Sequence, residues 1–114
     1  MKLFEVQKLL GCEVLAGGEV LERDVTEVVT SDGMSEILAY TKSGELMITG
    51  LTNIQSIRTA DIAGVAAVVY CRGKRPAIDV IEYAAAKGIP VLATSMVMFE
   101  ICGLLYRAGL KGVS

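Results

Sequence analysis

The sequence predicts an α/β fold: a three-layer α/β/α sandwich around a mostly parallel sheet of four to five strands. Three observations carry this. Between positions 45 and 93, three apolar runs have strand length and no polar alternation: ELMIT (Glu45 to Thr49), VAAVVY (Val65 to Tyr70) and IPVLA (Ile89 to Ala93). Continuous runs of this kind belong to strands buried on both faces. The segments between them carry apolar residues at helical spacing, and strands that alternate with helices pair in parallel through right-handed crossovers. The 114 residues fit one domain, spanning residues 1–114, and 53% apolar residues can fill its core.

Each element has its own punctuation. Lys2 to Leu10 reads as a short amphipathic helix with Leu3, Val6 and Leu10 inward. Cys12 to Ala16 is a strand, Gly17-Gly18 a turn, and Val25 to Thr30 another strand. Met34 to Tyr40 is a short helix capped by Ser31 or Asp32 and ending before Gly44. Gly50 breaks the ELMIT strand. Asn53 then caps a helix to Ala63, with Ile54 and Ile57 inward and Gly64 as its stop. Pro76 opens the next helix, where the first amide needs no partner. That helix runs to Lys87 with Ile78, Ile81 and Ala85 on its inner stripe, and Gly88 ends it. Pro90 stands at the start of the third strand, where a missing donor is tolerated. Ser95 caps a last helix to Ala108, with Val97, Ile101, Leu104 and Leu105 inward.

Composition removes several classes of function. Mean hydropathy is positive, yet no apolar stretch approaches the ~18 residues of a spanning helix. Glu5 and Lys8 interrupt the N-terminal segment, so it does not read as a signal peptide, and a cytoplasmic protein away from membranes is expected. The chain has no histidine. That excludes Ser-His-Asp and Cys-His catalysis and any phosphohistidine relay. Cys12, Cys71 and Cys102 form no CxxC pair, so they read as reduced, mostly buried thiols and not as a zinc site. No metal and no cofactor are expected. Residues 1–50 carry a net −5 and residues 51–114 a net +3, together −2. So mild a basic half suits a small anion and not nucleic acid.

In open parallel sheets, ligands bind beyond the carboxyl ends of the strands, where turns meet helix N-termini. Three turns converge there: Thr49-Gly50-Leu51-Thr52-Asn53, Cys71-Arg72-Gly73-Lys74-Arg75 and Thr94-Ser95-Met96. Hydroxyls, three cations and free helix amides favour a phosphate-bearing small molecule. The candidate ligand residues are therefore Thr49, Gly50, Thr52, Asn53, Arg72, Gly73, Lys74, Arg75, Thr94 and Ser95. The bland reading of the same residues is a solvated basic turn beside ordinary helix caps. No GxxxxGK[ST] or GxGxxG is present. Cys71 precedes a glycine-containing basic turn, as in a cysteine phosphatase loop, but position 77 is alanine where that loop needs arginine. No catalytic residue is assigned. Gly103 falls inside the last helix at a cost of ~1 kcal/mol. Close packing against a second copy accounts for it, which makes Gly103, Leu104 and Tyr106 candidate homodimer contacts.

The run LERDVTEVVTSDGMSEILAYTKSGELMITG, followed by VAAVVYCRGK and GIPVLATS, resembles the DRTGG domain family over roughly residues 15–110. Gly50 and Gly73 match the family's glycines. Leu51-Thr52, Cys71-Arg72 and Val97-Met98 stand where its polar signature residues fall. The resemblance implies a fold similar to the N-terminal domain of HPr kinase/phosphorylase and to the Mur ligase domain that binds UDP-sugars. It implies a regulatory module without enzymatic activity of its own. The reading that results is a sensor domain that binds a small anionic metabolite or nucleotide and acts through a homodimer. The alternatives are an adaptor that binds a partner protein and no small ligand, and a phosphotransfer-related domain.

Overall fold

The computed structural model describes residues 1–112. Five helices and six strands follow in order: α1 (Leu3–Leu10), β1 (Glu13–Ala16), β2 (Glu27–Thr30), α2 (Met34–Tyr40), β3 (Leu46–Thr49), α3 (Ile54–Ala63), β4 (Ala67–Tyr70), α4 (Ile78–Ala86), β5 (Val91–Ala93), α5 (Met98–Arg107) and β6 (Lys111–Gly112). They form one sheet in the order β1-β5-β4-β3-β2-β6. Every pairing is parallel except β1 with β5.

The apolar runs are buried on both faces, as their composition requires. In β3, Leu46 and Ile48 join one core with Leu3, Val6 and Leu10 of α1 and Ile101 and Leu105 of α5. Their neighbour Met47 joins the other, with Ile37 of α2, Ile57 and Ala60 of α3, and Val80 and Ala84 of α4. Alternate strand residues therefore feed opposite layers. Helices α2, α3 and α4 carry the crossovers β2 to β3 to β4 to β5 along one face. Helix α5 returns over the other face, so that β6 arrives beside β2 at the far edge.

The three-layer sandwich agrees with the expectation, but the sheet has six strands and not four to five. The sixth is only two residues long, and Lys111–Gly112 has no apolar signal to read. Three local expectations are also corrected. The N-cap of α2 is Gly33, not Ser31 or Asp32. Helix α4 starts at Ile78 behind Ala77 and not at Pro76, and it buries Val80 and Ala84. Ile78 is 74% exposed. Its sequence IDVIEYAAA is apolar on two opposed stripes, so periodicity alone admits either face. Helix α5 starts at Met98 behind Val97, not behind Ser95. The hydroxyl of Thr94 accepts from the Met96 amide at 3.2 Å and so holds residues 94–96 in a turn. Val97 consequently stays 44% exposed. Asn53 does cap α3, its Oδ1 accepting from the Ser56 amide at 3.3 Å.

Candidate functional site

Four strands deliver their carboxyl ends to one edge, and the turns there are tied to one another. After β2, Asp32 reaches under the next turn. Its Oδ1 accepts from the Gly50 amide at 2.7 Å and from Thr49 Oγ1 at 3.2 Å. Thr49 is fully buried, and its hydroxyl also accepts from the Leu51 amide at 3.1 Å. This hydroxyl therefore shapes the turn and does not line a cleft.

After β4 the chain makes an unusual bend. Arg72 has φ 60°, the only non-glycine residue with positive φ among the described residues, and Gly73 follows at φ 70°. An L-residue in this region is uncommon and costs on the order of 1 kcal/mol. Two bonds hold it. The Arg72 amide donates to Met96 O and the Gly73 amide to Thr94 O, both at 2.8 Å. The bend directs the arginine toward Gly50. A Cβ built on Gly50 would lie 3.0 Å from Arg72 Nη2 and 3.4 Å from Asp32 Oδ1.

The basic turn does not act as a unit. Arg75 makes a two-pronged pair with Glu13 of β1, at 2.7 and 3.0 Å. The guanidinium holds the Glu13 carboxyl below its usual range. Arg72 and Lys74 form no ion pair among the described residues. The remaining candidates divide likewise. Thr94 is buried with its hydroxyl on Leu10 O at 2.7 Å, while Asn53 is occupied with its cap. Thr52 is half-buried and Ser95 exposed. The structure thus brings Gly50, Arg72, Gly73 and Lys74 to one edge and commits Thr49, Arg75 and Thr94 elsewhere.

Sequence reasoning missed Asp32, which it weighed only as a helix cap. The available signal was its place directly after an apolar strand, at the same carboxyl edge as the other turns.

The three thiols are free, with Cys12 and Cys71 buried and Cys102 half-buried. Burial pushes the Cys12 thiol up to about 11, which keeps it protonated and unreactive at neutral pH. No group of three or more cysteine or acidic side chains among the described residues is placed to hold a metal ion. Among the described residues, no helix is long and apolar enough to cross a membrane.

An apolar groove of about 400 Å³ runs between α5 and the β2–β6 edge. Phe99, Cys102, Gly103, Tyr106 and Leu110 are among its lining residues. Phe99 is 88% and Tyr106 77% exposed. Gly103 lies between them on the same helix face, and a Cβ there would meet nothing within 4 Å. Nothing among the described residues requires a glycine at that position. Leu104 is only half-buried.

The fold and the edge define a small α/β domain built around a parallel sheet with a basic carboxyl edge. The chain belongs to the DRTGG domain family, whose model matches residues 5–108. Its fold is similar to that of the CBS and DRTGG domains in the regulatory region of Clostridium perfringens pyrophosphatase, solved in complex with the activator diadenosine tetraphosphate. The TM-score is 0.78 at 18% identity, and the match covers 96% of this chain and 47% of that one. The chain thus spans about half of that structure. No curated protein matches the sequence.

Proposed function

We propose that this chain is a non-enzymatic, cytoplasmic regulatory module that binds a phosphate-bearing small molecule at the carboxyl edge of its sheet and acts through a homodimer. The observation that carries the reading is Arg72. A left-handed, side-chain-bearing residue persists only where its surroundings hold it, and such residues cluster at ligand clamps. Here the strained residue is a cation without a carboxylate partner among the described residues, two positions from a second such cation, Lys74. The family supports a regulatory role, and the pyrophosphatase region with its nucleotide activator supports a nucleotide-like ligand.

Titration calorimetry with adenine nucleotides and phosphorylated metabolites tests the site. Arg72→Ala is expected to weaken binding at least about tenfold, the scale of one hydrogen bond to a charged group. Unchanged affinity in that variant would remove the reading. The thermal stability of the free protein should fall little, because exposed charges contribute little to folding.

The homodimer reading rests on α5. Phe99, Gly103 and Tyr106 recur at helical spacing, a glycine gap between two exposed rings, with Leu104 beside them. Two such faces can interlock across a two-fold axis. Gly103→Arg fills the gap from an exposed position whose added Cβ meets nothing within 4 Å among the described residues. Light scattering is expected to show a dimer for the native chain and a monomer of unchanged helicity for the variant. A native monomer at tens of micromolar would end the homodimer reading.

A further inference from the structure

We propose that Asp32 and Arg72, placed either side of Gly50, together recognise a phosphate ester carrying a free vicinal diol, as a ribonucleotide does. This rests on the anion-binding reading of the same edge and narrows its ligand class.

The two side chains come from different strand ends and carry complementary chemistry. A carboxylate accepts hydrogen bonds and offers none, whereas a guanidinium only donates. The first selects hydroxyls and the second selects phosphate oxygens. Asp32 is preset for this. Its Oδ1 is fixed by the Gly50 amide and the Thr49 hydroxyl, and its Oδ2 has no protein partner among the described residues. Arg72 enters from the other side, its main chain fixed by the backbone bonds of its left-handed bend and its guanidinium left free of protein partners among the described residues.

Opposite charges this close ordinarily meet. Here the Cβ position of Gly50 lies 3.0 Å from Arg72 Nη2 and within 3.5 Å of both Asp32 oxygens, yet the two groups make no ion pair. Asp32 Oδ1 is held by the Gly50 amide and the Thr49 hydroxyl, while the Arg72 guanidinium has no hydrogen-bond partner among the described residues. Gly50 keeps the space between them open. Its φ lies outside the left-handed region, so the backbone does not demand glycine. A Cβ at 3.0 Å would displace Arg72 Nη2, and at 3.4 and 3.5 Å it would only touch the Asp32 oxygens, so the pressure falls on the arginine. A diol on the free Asp32 oxygen with its phosphate on Arg72 satisfies both groups across that gap, whereas inorganic phosphate leaves the carboxylate unmatched and repelled.

Titration calorimetry on the full chain, with ADP, 2′,3′-dideoxy-ADP, ribose 5-phosphate and inorganic pyrophosphate as probes, tests this. ADP is expected to bind at least about tenfold tighter than its dideoxy analogue, the scale of a hydrogen bond to a charged acceptor. Asp32→Asn keeps an oxygen for the Gly50 amide and should narrow that ratio while retaining pyrophosphate binding. Gly50→Ala, folded by circular dichroism, should weaken ADP binding by displacing Arg72. Ribose 5-phosphate binding as well as ADP would uphold the diol-phosphate assignment and place the base outside the site. Equal affinity for ADP and dideoxy-ADP, or a ratio that survives Asp32→Asn, overturns the inference while the anion site stands. If none of the four probes binds, both readings fall together.

Discussion

Replacing Gly17 by alanine is expected to destabilise the fold by about 3–5 kcal/mol, from backbone strain together with overpacking. Gly17 follows β1 with φ 79°. A Cβ there would lie 2.6 Å from the Cα of Pro90 and 2.9 Å from its Cβ. Neither atom can swing aside, because Pro90 is a ring fused to backbone at the entrance of β5. Relief therefore requires the whole β1 end to lift from its neighbour. The bonds at risk are those of the antiparallel edge, Glu13 opposite Ala93 and Val14 opposite Leu92. Gly88→Ala is the matched control, since φ there is 71° but nothing lies within 4 Å of the added carbon. It should cost only about 1 kcal/mol, the left-handed penalty alone. Urea denaturation of the two variants beside the native chain separates the terms. Equal losses in both would show that the Pro90 contact is relieved cheaply and would defeat the prediction.

The fold class was legible because burial on both faces leaves no freedom in composition. The residues of LMIT, AVVY and VLA are all buried in β3, β4 and β5, and only apolar or small polar side chains fit such places. Legibility ended where the signal was short or doubled. Strand β6 is set by where α5 lets the chain down beside β2, not by its own Lys111–Gly112. Helix α4 carries two apolar stripes between which periodicity cannot choose, and the sheet selected the one with Val80 and Ala84. Candidate-site positions could be located by topology, since turns after parallel strands must share an edge. Side-chain partners could not. Arg75 pairs with Glu13 across 62 positions and Thr94 with Leu10 across 84. Both depend on α1 and β1 packing at the β5 edge, with β1 running antiparallel, and nothing in the Cys12–Ala16 segment specifies that neighbour. The same dependence hid Asp32, whose role exists only once β2 lies beside β3.

Glu45 should make the protein lose stability as pH rises from acidic to neutral, and Glu45→Gln should abolish that loss. Glu45 is 2% exposed at the amino end of β3. Its Oε1 accepts from the Lys42 amide at 2.6 Å, but its buried Oε2 has no partner among the described residues. Burial raises its pKa above the ordinary 4.5, and the nearby Glu27 charge raises it further, while the Lys42 amide and ammonium oppose them. A raised folded pKa means that the fold favours the protonated acid. The stabilising contribution is therefore complete below the unfolded pKa and is lost as pH climbs through the folded value. Glu13 acts with the opposite sign, because Arg75 lowers its pKa. Its weak, exposed pair strengthens the fold above the unfolded pKa and fades on acidification. The native chain alone would mix the two trends, so the informative quantity is the stability difference between native and Glu45→Gln proteins. That difference should be near zero at about pH 4, close to the unfolded glutamate value. By pH 7–8 the variant should be more stable by up to about 3 kcal/mol, the scale of a buried unsatisfied group. Chemical denaturation at pH 4, 5.5, 7 and 8 measures it. Parallel profiles for the two proteins would mean that Glu45 ionises in the fold without penalty, and the claim would be lost.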